Sequence, residues 1–216
     1  MFSSMQNFIY IVNNKEYEVV ITHKRIKNIH YKYRDGKFYV SCSSFTGKGT
    51  IIRGLDKFAV RLIKSGEKEK PIGEDYIYLF GEKYPFSNSG MIRVEGYDEI
   101  KYENVEDLMK KLKKVFLDIV TKRVRYYEKI MKVPSYRVSI RSMTSRYGSN
   151  SKRSKHLTFN LSLVHYSTPI LDSVIVHELA HIIVYNHSKA FYDVVYKYSP
   201  DYDTLHTKLR KGEFKW

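Results

Sequence analysis

The chain has 216 residues, 43 % hydrophobic and 15 % aromatic with 20 tyrosines, a globular composition that excludes disorder and suits one large domain or a domain with a smaller lobe. No apolar run reaches the roughly 18 uncharged residues of a transmembrane helix, so no membrane partner is expected. The formal net charge of +15 is concentrated: residues 105 to 155 hold 15 lysines and arginines against Glu106, Asp107, Asp118 and Glu128, a net of +11. A field of that sign attracts nucleic acid, phosphates or acidic polypeptide, and the same charges equally fit a solvated helix face.

The N-terminal stretch MFSSMQNFIYIVNNKEYEVV has no basic region ahead of a long apolar run, so no signal peptide is expected. The only cysteine, Cys42, permits no intrachain disulfide and points to a reducing cytoplasm; its setting, FYVSCSS, suits a packed small residue rather than a nucleophile.

Along the first hundred residues strands and hairpins are predicted. FIYIV and EYEVVIT flank a tight turn at Asn13–Asn14; IHYKY and KFYVS flank Arg34–Asp35–Gly36; YIYLF and KYPFS flank Gly81–Glu82. GLDKFAVRLIKSG reads as a short helix with Leu55, Phe58, Ala59 and Leu62 on one face and Gly66 after its end, followed by a polar loop, EKEKPIGED.

The period changes at Asn104. Val105, Leu108, Leu112, Val115, Phe116, Ile119, Tyr127 and Ile130 form one helical stripe, with Asn104 as N-cap, Asp107 in the first turn and Pro134 past the end. SYRVSIRSM reads as a strand, SRYGSNSKRSK as a polar loop and HLTFNLSLV as a second strand. Thr168–Pro169 opens another helix, and Asp193 to Ser199 reads as a further helical stretch stopped by Pro200. The expected organisation is α+β: a β-rich N-terminal lobe over 1–103 and a domain over 104–216 with a long helix, a short sheet and a motif-bearing helix.

That motif lies in SVIVHELAHIIVYNHSKAF. Leu171, Val174, Ile175, Leu179, Ile182 and Ile183 make a buried stripe, yet His177, Glu178 and His181 interrupt it. Residues four apart stack on one helix face, so the two imidazoles can reach one zinc ion at roughly 2.0–2.1 Å. Glu178, rotated by about 100° from His177, can contact a metal-bound water without being a ligand, which makes it the candidate general base. His187 is the candidate third ligand, with Asp193 or Asp201 as competitors. His187 requires the helix to end near Tyr185 or Asn186, where Asn186 tolerates left-handed backbone angles. Three imidazoles and a water form an open catalytic site; without a metal the histidines would have to be hydrogen-bonded core residues, hard to satisfy together. Imidazole also suits manganese, iron or nickel.

The spacing of His177, Glu178, His181 and His187 also fits the metzincin pattern, but Val184 stands where that pattern has glycine and no methionine follows Met143. The chain instead resembles the YgjP-like group of metal-dependent hydrolases, relatives of the SprT-like and other zincin metallopeptidases. The resemblance is carried by Arg146–Tyr147–Gly148–Ser149–Asn150, Thr158–Phe159–Asn160, His177 to His181, Asn186–His187–Ser188 and Phe191–Tyr192, with the Gly81–Glu82–Lys83–Tyr84–Pro85 hairpin in the first half. Tyr147 and Tyr192 replace the group's tryptophans and Asn150 its cysteine. The resemblance implies a zincin-like second domain, three histidine ligands and a glutamate base, and covers nearly the whole chain. SprT-like relatives act on DNA-bound proteins, and the YgjP-like branch has been linked to nucleotide phosphoanhydrides.

The expectation is therefore a zinc metallopeptidase with Glu178 as base. The alternatives are a nucleoside triphosphate hydrolase using the same metal, or a nucleic-acid-associated protein with a structural metal, reached through region 105–155. Glu178 speaks against the last, and the lack of a glycine-rich phosphate loop favours a peptidase. Arg146, Tyr147, Tyr185 and His165 are candidate substrate or oxyanion donors by sequence proximity. Asn160 is placed either to orient the motif helix or to make a turn.

Overall fold

The computed structural model describes residues 7–66 and 69–215. Residues 1–6, at the head of the stretch read for a signal peptide, and 67 and 68, in the expected EKEKPIGED loop, lie outside them. The chain forms two compact units, Met1–Lys68 and Glu69–Trp216.

In the first unit, β1 (Phe8–Val12), β2 (Lys15–His23), β3 (His30–Arg34) and β4 (Lys37–Cys42) form one sheet in the order β1-β2-β4-β3, with β2 and β4 parallel and the outer pairs antiparallel. Asn13 and Asn14 (φ 52° and 61°) and Asp35 and Gly36 (φ 51° and 75°) make the two hairpin turns through left-handed backbone, which is why those residue types stand there. Helix α1 (Lys48–Gly66) starts earlier than expected and buries Ile51, Leu55, Ala59 and Ile63 with Val19, Phe38 and Val40. Phe58 and Leu62, expected on that stripe, are only half-buried beside it. Cys42 is fully buried in the same core.

The second unit begins with two hairpins, β5 (Tyr76–Leu79) with β6 (Glu82–Pro85) and β7 (Gly90–Ile92) with β8 (Ile100–Tyr102). The first turns at Phe80–Gly81 (φ 52° and 86°), one residue before the expected Gly81–Glu82; Glu82 is already in the strand. Helix α2 (Val105–Met131) follows. Asn104 Oδ1 accepts the Asp107 N–H (2.9 Å) while Asp107 Oδ2 accepts the Glu103 N–H (3.2 Å), and Lys132 closes the far end in left-handed backbone. Its buried line runs Leu108, Leu112, Phe116, Val120, Val124, Glu128 and Met131; Ile130, expected on the stripe, is exposed because the line steps by four residues. Buried Glu128 takes hydrogen bonds from Ser135 Oγ (2.8 Å) and the Tyr136 N–H (2.9 Å), and an ion pair from Arg125 (2.5 Å).

A three-stranded sheet, β9 (Arg137–Arg141), β10 (Gly148–Ser151) and β11 (His156–Asn160), has the order β10-β11-β9, with β9 and β11 parallel and β10 antiparallel to β11. β10 corrects the expectation of a polar loop over SRYGSNSKRSK. The segment HLTFNLSLV is strand only to Asn160 and then a 3-10 turn, Leu161–His165, capped by Asn160. Three helices complete the unit: α3 (Thr168–Ile183), α4 (Lys189–Tyr198) and α5 (Tyr202–Lys211). α4 begins before the expected Asp193, and α5 was not expected. Strands β5 to β8 share one core with α2 and α3. The change of period near 103 thus falls inside the second unit: it marks where strands give way to helices.

Lys110, Lys111, Lys113, Lys114 and Lys122 lie exposed along α2, and Lys111 and Lys122 pair with Asp107 and Asp118 (2.6 and 2.7 Å), as on a solvated helix face. No helix among the described residues is long and apolar enough to cross a membrane.

Candidate metal centre

Helix α3 is apolar nearly all round and runs through the core of its unit: Ile170, Leu171, Val174, Ile175, Val176, Leu179 and Ala180 are buried. Pro169 sits in its first turn, where a missing N–H costs nothing. Asp172 binds Arg123 of α2 through both guanidinium nitrogens, with Nε at 2.8 Å from Oδ1. A helix gripped on this many sides holds its polar residues in fixed positions.

His177 and His181 project from one side of α3, and the ligand nitrogens of His177, His181 and His187 all lie within 4.8 Å of one another. α3 ends at Ile183, earlier than expected. The turn is made by Val184 in extended backbone (φ −126°), with its N–H on Ala180 O; Asn186 is not among the left-handed residues. This turn has no need of glycine. His187 follows within four residues and brings its Nε2 to 3.3 Å from His177 Nε2. Two nitrogens bound to one tetrahedral ion at roughly 2.0–2.1 Å stand about 3.3–3.4 Å apart, so this separation fits. Two of the outer nitrogens are occupied. His181 Nδ1–H donates to Tyr185 O (3.0 Å), and His177 Nδ1 meets the Tyr202 hydroxyl (2.8 Å). The carbonyl partner fixes the proton of His181 on Nδ1 and leaves its Nε2 lone pair turned inward, the tautomer a metal requires; His177 takes the same tautomer when its Nδ1–H donates to the Tyr202 oxygen. The fully buried ring of Phe191 lies 4.6–5.0 Å from all three imidazoles and forms their apolar floor. Burial, then the neighbouring histidines, push His177 down to about 3, keeping it neutral. Asp193 and Asp201 are exposed and outside the group of three.

Glu178 sits in a buried slot beside Gly148, at 6 % exposure. Burial pushes its carboxyl up to about 7, against the pull of the Arg146 guanidinium. The slot exists because β10 passes beside it. A Cβ at Gly148 would stand 2.5 Å from Glu178 Oε1 and 2.7 Å from its Cγ, so this close approach requires glycine. Asn150, two residues on, donates from Nδ2 to Glu178 O (2.7 Å) and fastens the strand to the helix.

His177 and Glu178 line a cleft of about 420 Å³ whose other walls include Arg146, Tyr147, Tyr202, His206 and Arg210. Of the four candidate donors, Arg146 and Tyr147 line it. The Tyr147 hydroxyl already donates to Leu209 O (3.3 Å). His165 does not reach it: its Nδ1–H is bonded to Tyr78 O (2.7 Å) in the core, and burial holds its pKa below the usual histidine value. Tyr185 is 79 % exposed and contributes to the site through its carbonyl oxygen. Asn160 braces a loop rather than α3: Nδ2 donates to Met143 O (2.7 Å) and Arg146 O (2.9 Å), and Oδ1 accepts the Ser162 N–H (3.1 Å). The residues not anticipated, Tyr202, His206 and Arg210, all come from α5. Their spacing of four on one helix face is the signal that could have found them.

Two solved structures share part of this architecture. The metallopeptidase zymogen jannalysin of Methanocaldococcus jannaschii is 22 % identical, with a TM-score of 0.40, over 43 % of this chain and 95 % of its own. The zymogen abylysin of Pyrococcus abyssi is 21 % identical, with a TM-score of 0.38, over 42 % and 95 %. No curated protein matches the chain in sequence. The sequence model of the YgjP-like metallopeptidase domain matches residues 46–212, a span that includes α1, the cleft and every residue of the histidine trio, and the chain belongs to that family.

Proposed function

We propose that the chain is a metal-dependent peptidase in which His177, His181 and His187 hold one divalent ion and Glu178 is the general base. The observation that carries the reading is the convergence of three imidazole nitrogens within 4.8 Å, two of the rings tied back at their outer nitrogens, beside a buried carboxylate. Zinc is the ion this donor set suits, since three neutral imidazoles in a tetrahedral arrangement with an open position are a zinc-enzyme pattern. When bound, such an ion supplies Lewis acidity, which activates water and the scissile carbonyl.

The chain supplies the rest. The Glu178 carboxylate takes a proton from the attacking water and returns it to the leaving amine nitrogen as the peptide C–N bond breaks. A carboxyl titrating near 7 suits both steps. Phe191 keeps water from the far side of the imidazoles. The developing oxyanion needs a donor. Tyr147 has its hydroxyl proton committed to Leu209 O, and His206, which lines the cleft and stacks at 5.4 Å on Tyr202, is the assigned donor.

The test compares wild type with Glu178→Gln on casein and on nucleoside triphosphates, with metal content measured for both proteins. Casein cleavage should fall by a factor on the order of 10²–10⁴ while metal content stays the same. Triphosphate hydrolysis without casein cleavage would reassign the site to nucleotides. Casein cleavage surviving the substitution would remove Glu178 from the chemistry.

A further inference from the structure

We propose that Arg146 and Arg210 form a subsite that selects a carboxylate of the polypeptide substrate beside Glu178; this rests on the peptidase reading of the same cleft. Both arginines line the cleft of about 420 Å³ that holds His177 and Glu178, and both line a second hollow of about 380 Å³ bounded by Met143, Asn160 and Ser162. They therefore stand on the lip shared by two adjoining spaces. They reach it from separate elements. Arg146 sits on the loop before β10, where its carbonyl is held by Asn160 Nδ2 (2.9 Å), and Arg210 sits in the last turn of α5.

What sets them apart from other exposed arginines is their place in the lining of both spaces. Arg34, Arg123 and Arg125 pair with Asp35, Asp172 and Glu128, and Arg53 donates to Thr50 Oγ1 (3.1 Å). The guanidiniums of Arg146 and Arg210 make no hydrogen bond and no ion pair among the described residues. Among the described residues Glu178 is the only acidic side chain lining either space. A cleft with two exposed guanidiniums and one buried carboxylate carries an excess of positive charge. A guanidinium offers a planar fork that matches a carboxylate with two parallel N–H···O bonds. The cleft's volume is that of a pocket taking a few residues of a chain. Neither space has a glycine-rich loop to surround a polyphosphate, and a peptide carboxylate is the anion the arrangement suits. That carboxylate is either the C-terminal one or an acidic side chain.

The experiment uses the full chain carrying Glu178→Gln and loaded with zinc, so that binding is read without turnover. One unstructured peptide is offered in three forms: a free C-terminus with no acidic side chain, an amidated C-terminus with none, and an amidated C-terminus with one glutamate. At least one carboxylate-bearing form should bind on the order of 10- to 100-fold more tightly than the uncharged amide. Arg146→Gln and Arg210→Gln should each remove most of that preference, and Arg→Lys at either position should keep part of it. The tighter form names the source of the carboxylate. Equal binding of all three forms, or a nucleoside triphosphate as the only ligand whose affinity depends on the arginines, overturns the proposal. Wild-type cleavage of the same peptides separates the two readings. Cleavage with no carboxylate preference leaves the peptidase and removes the subsite, whereas carboxylate-selective binding with no cleavage leaves the subsite and removes the peptidase.

Discussion

Replacing Gly148 by alanine tests the slot that holds the base. The new Cβ would stand 2.5 Å from Glu178 Oε1, 2.7 Å from Cγ and 2.9 Å from Cδ, where ordinary contact begins near 3.4 Å. The backbone cannot yield easily, because Gly148 is paired with Phe159 and Asn150 is bonded to the Glu178 carbonyl. The side chain must yield instead, and the carboxylate retreats by about 1 Å. A displacement of that size at a reacting group costs on the order of 10²-fold in rate, or about 2.7 kcal/mol of transition-state stabilisation. The overpacking itself costs about 1–3 kcal/mol of fold stability, partly offset by the lower backbone entropy of an unfolded alanine chain. The three atoms nearest that Cβ all belong to Glu178 and none to an imidazole, so zinc affinity should be unchanged. The assay is kcat/KM on a fluorogenic peptide beside zinc stoichiometry and a urea melt. Wild-type kcat/KM in a folded, zinc-loaded Gly148→Ala protein would show that β10 does not set the position of Glu178. A loss of zinc would show that strand and imidazoles are coupled, against the geometry.

Two further outcomes are expected. Tyr202→Phe removes the hydroxyl from His177 Nδ1 and should weaken zinc binding about 10- to 100-fold in chelator competition, with the far-UV spectrum unchanged; unaltered affinity means the bond does not orient the ligand. His165, buried and held neutral, takes up its proton only on unfolding as pH falls through about 6.5, so it contributes fully above that pH, and stability declines below it until the depressed folded pKa is passed. His165→Asn, which keeps a donor for Tyr78 O, should lose up to about 1 kcal/mol less between pH 7.5 and 5.5 in urea unfolding than wild type does; an equal loss assigns the pH dependence to other groups.

The trio of imidazoles could be read from the sequence because helix geometry converts a spacing of four directly into a shared face, and His187 needed only a short turn to rejoin it. The details of that turn were not legible: Asn186 has the residue type for a left-handed bend, but extended Val184 makes the turn. β10 was missed because Gly148, Ser149, Asn150 and Ser151 have no strand preference of their own. They are a strand because β11 offers a free edge and because only glycine fits against Glu178. α5 was missed because Pro200 looked like a terminus and YDTLHTKLRK is mostly polar. Its buried Tyr202, Leu205 and Leu209 form a thin stripe that shows its purpose only against the rest of the core. Local periodicity thus revealed the clustered imidazoles and hid the residues that wall the cleft, since the latter depend on contacts distant in sequence.

The position of α5 has a consequence for how the family can diversify. The imidazole trio ends at His187, while Tyr202, His206 and Arg210 all lie on the final described helix. A change at Arg210 alters what the cleft accepts without touching any of the three imidazoles or His206. Preference for one substrate over another can therefore drift in the last turn of a single helix while the residues proposed for the chemistry stay in place.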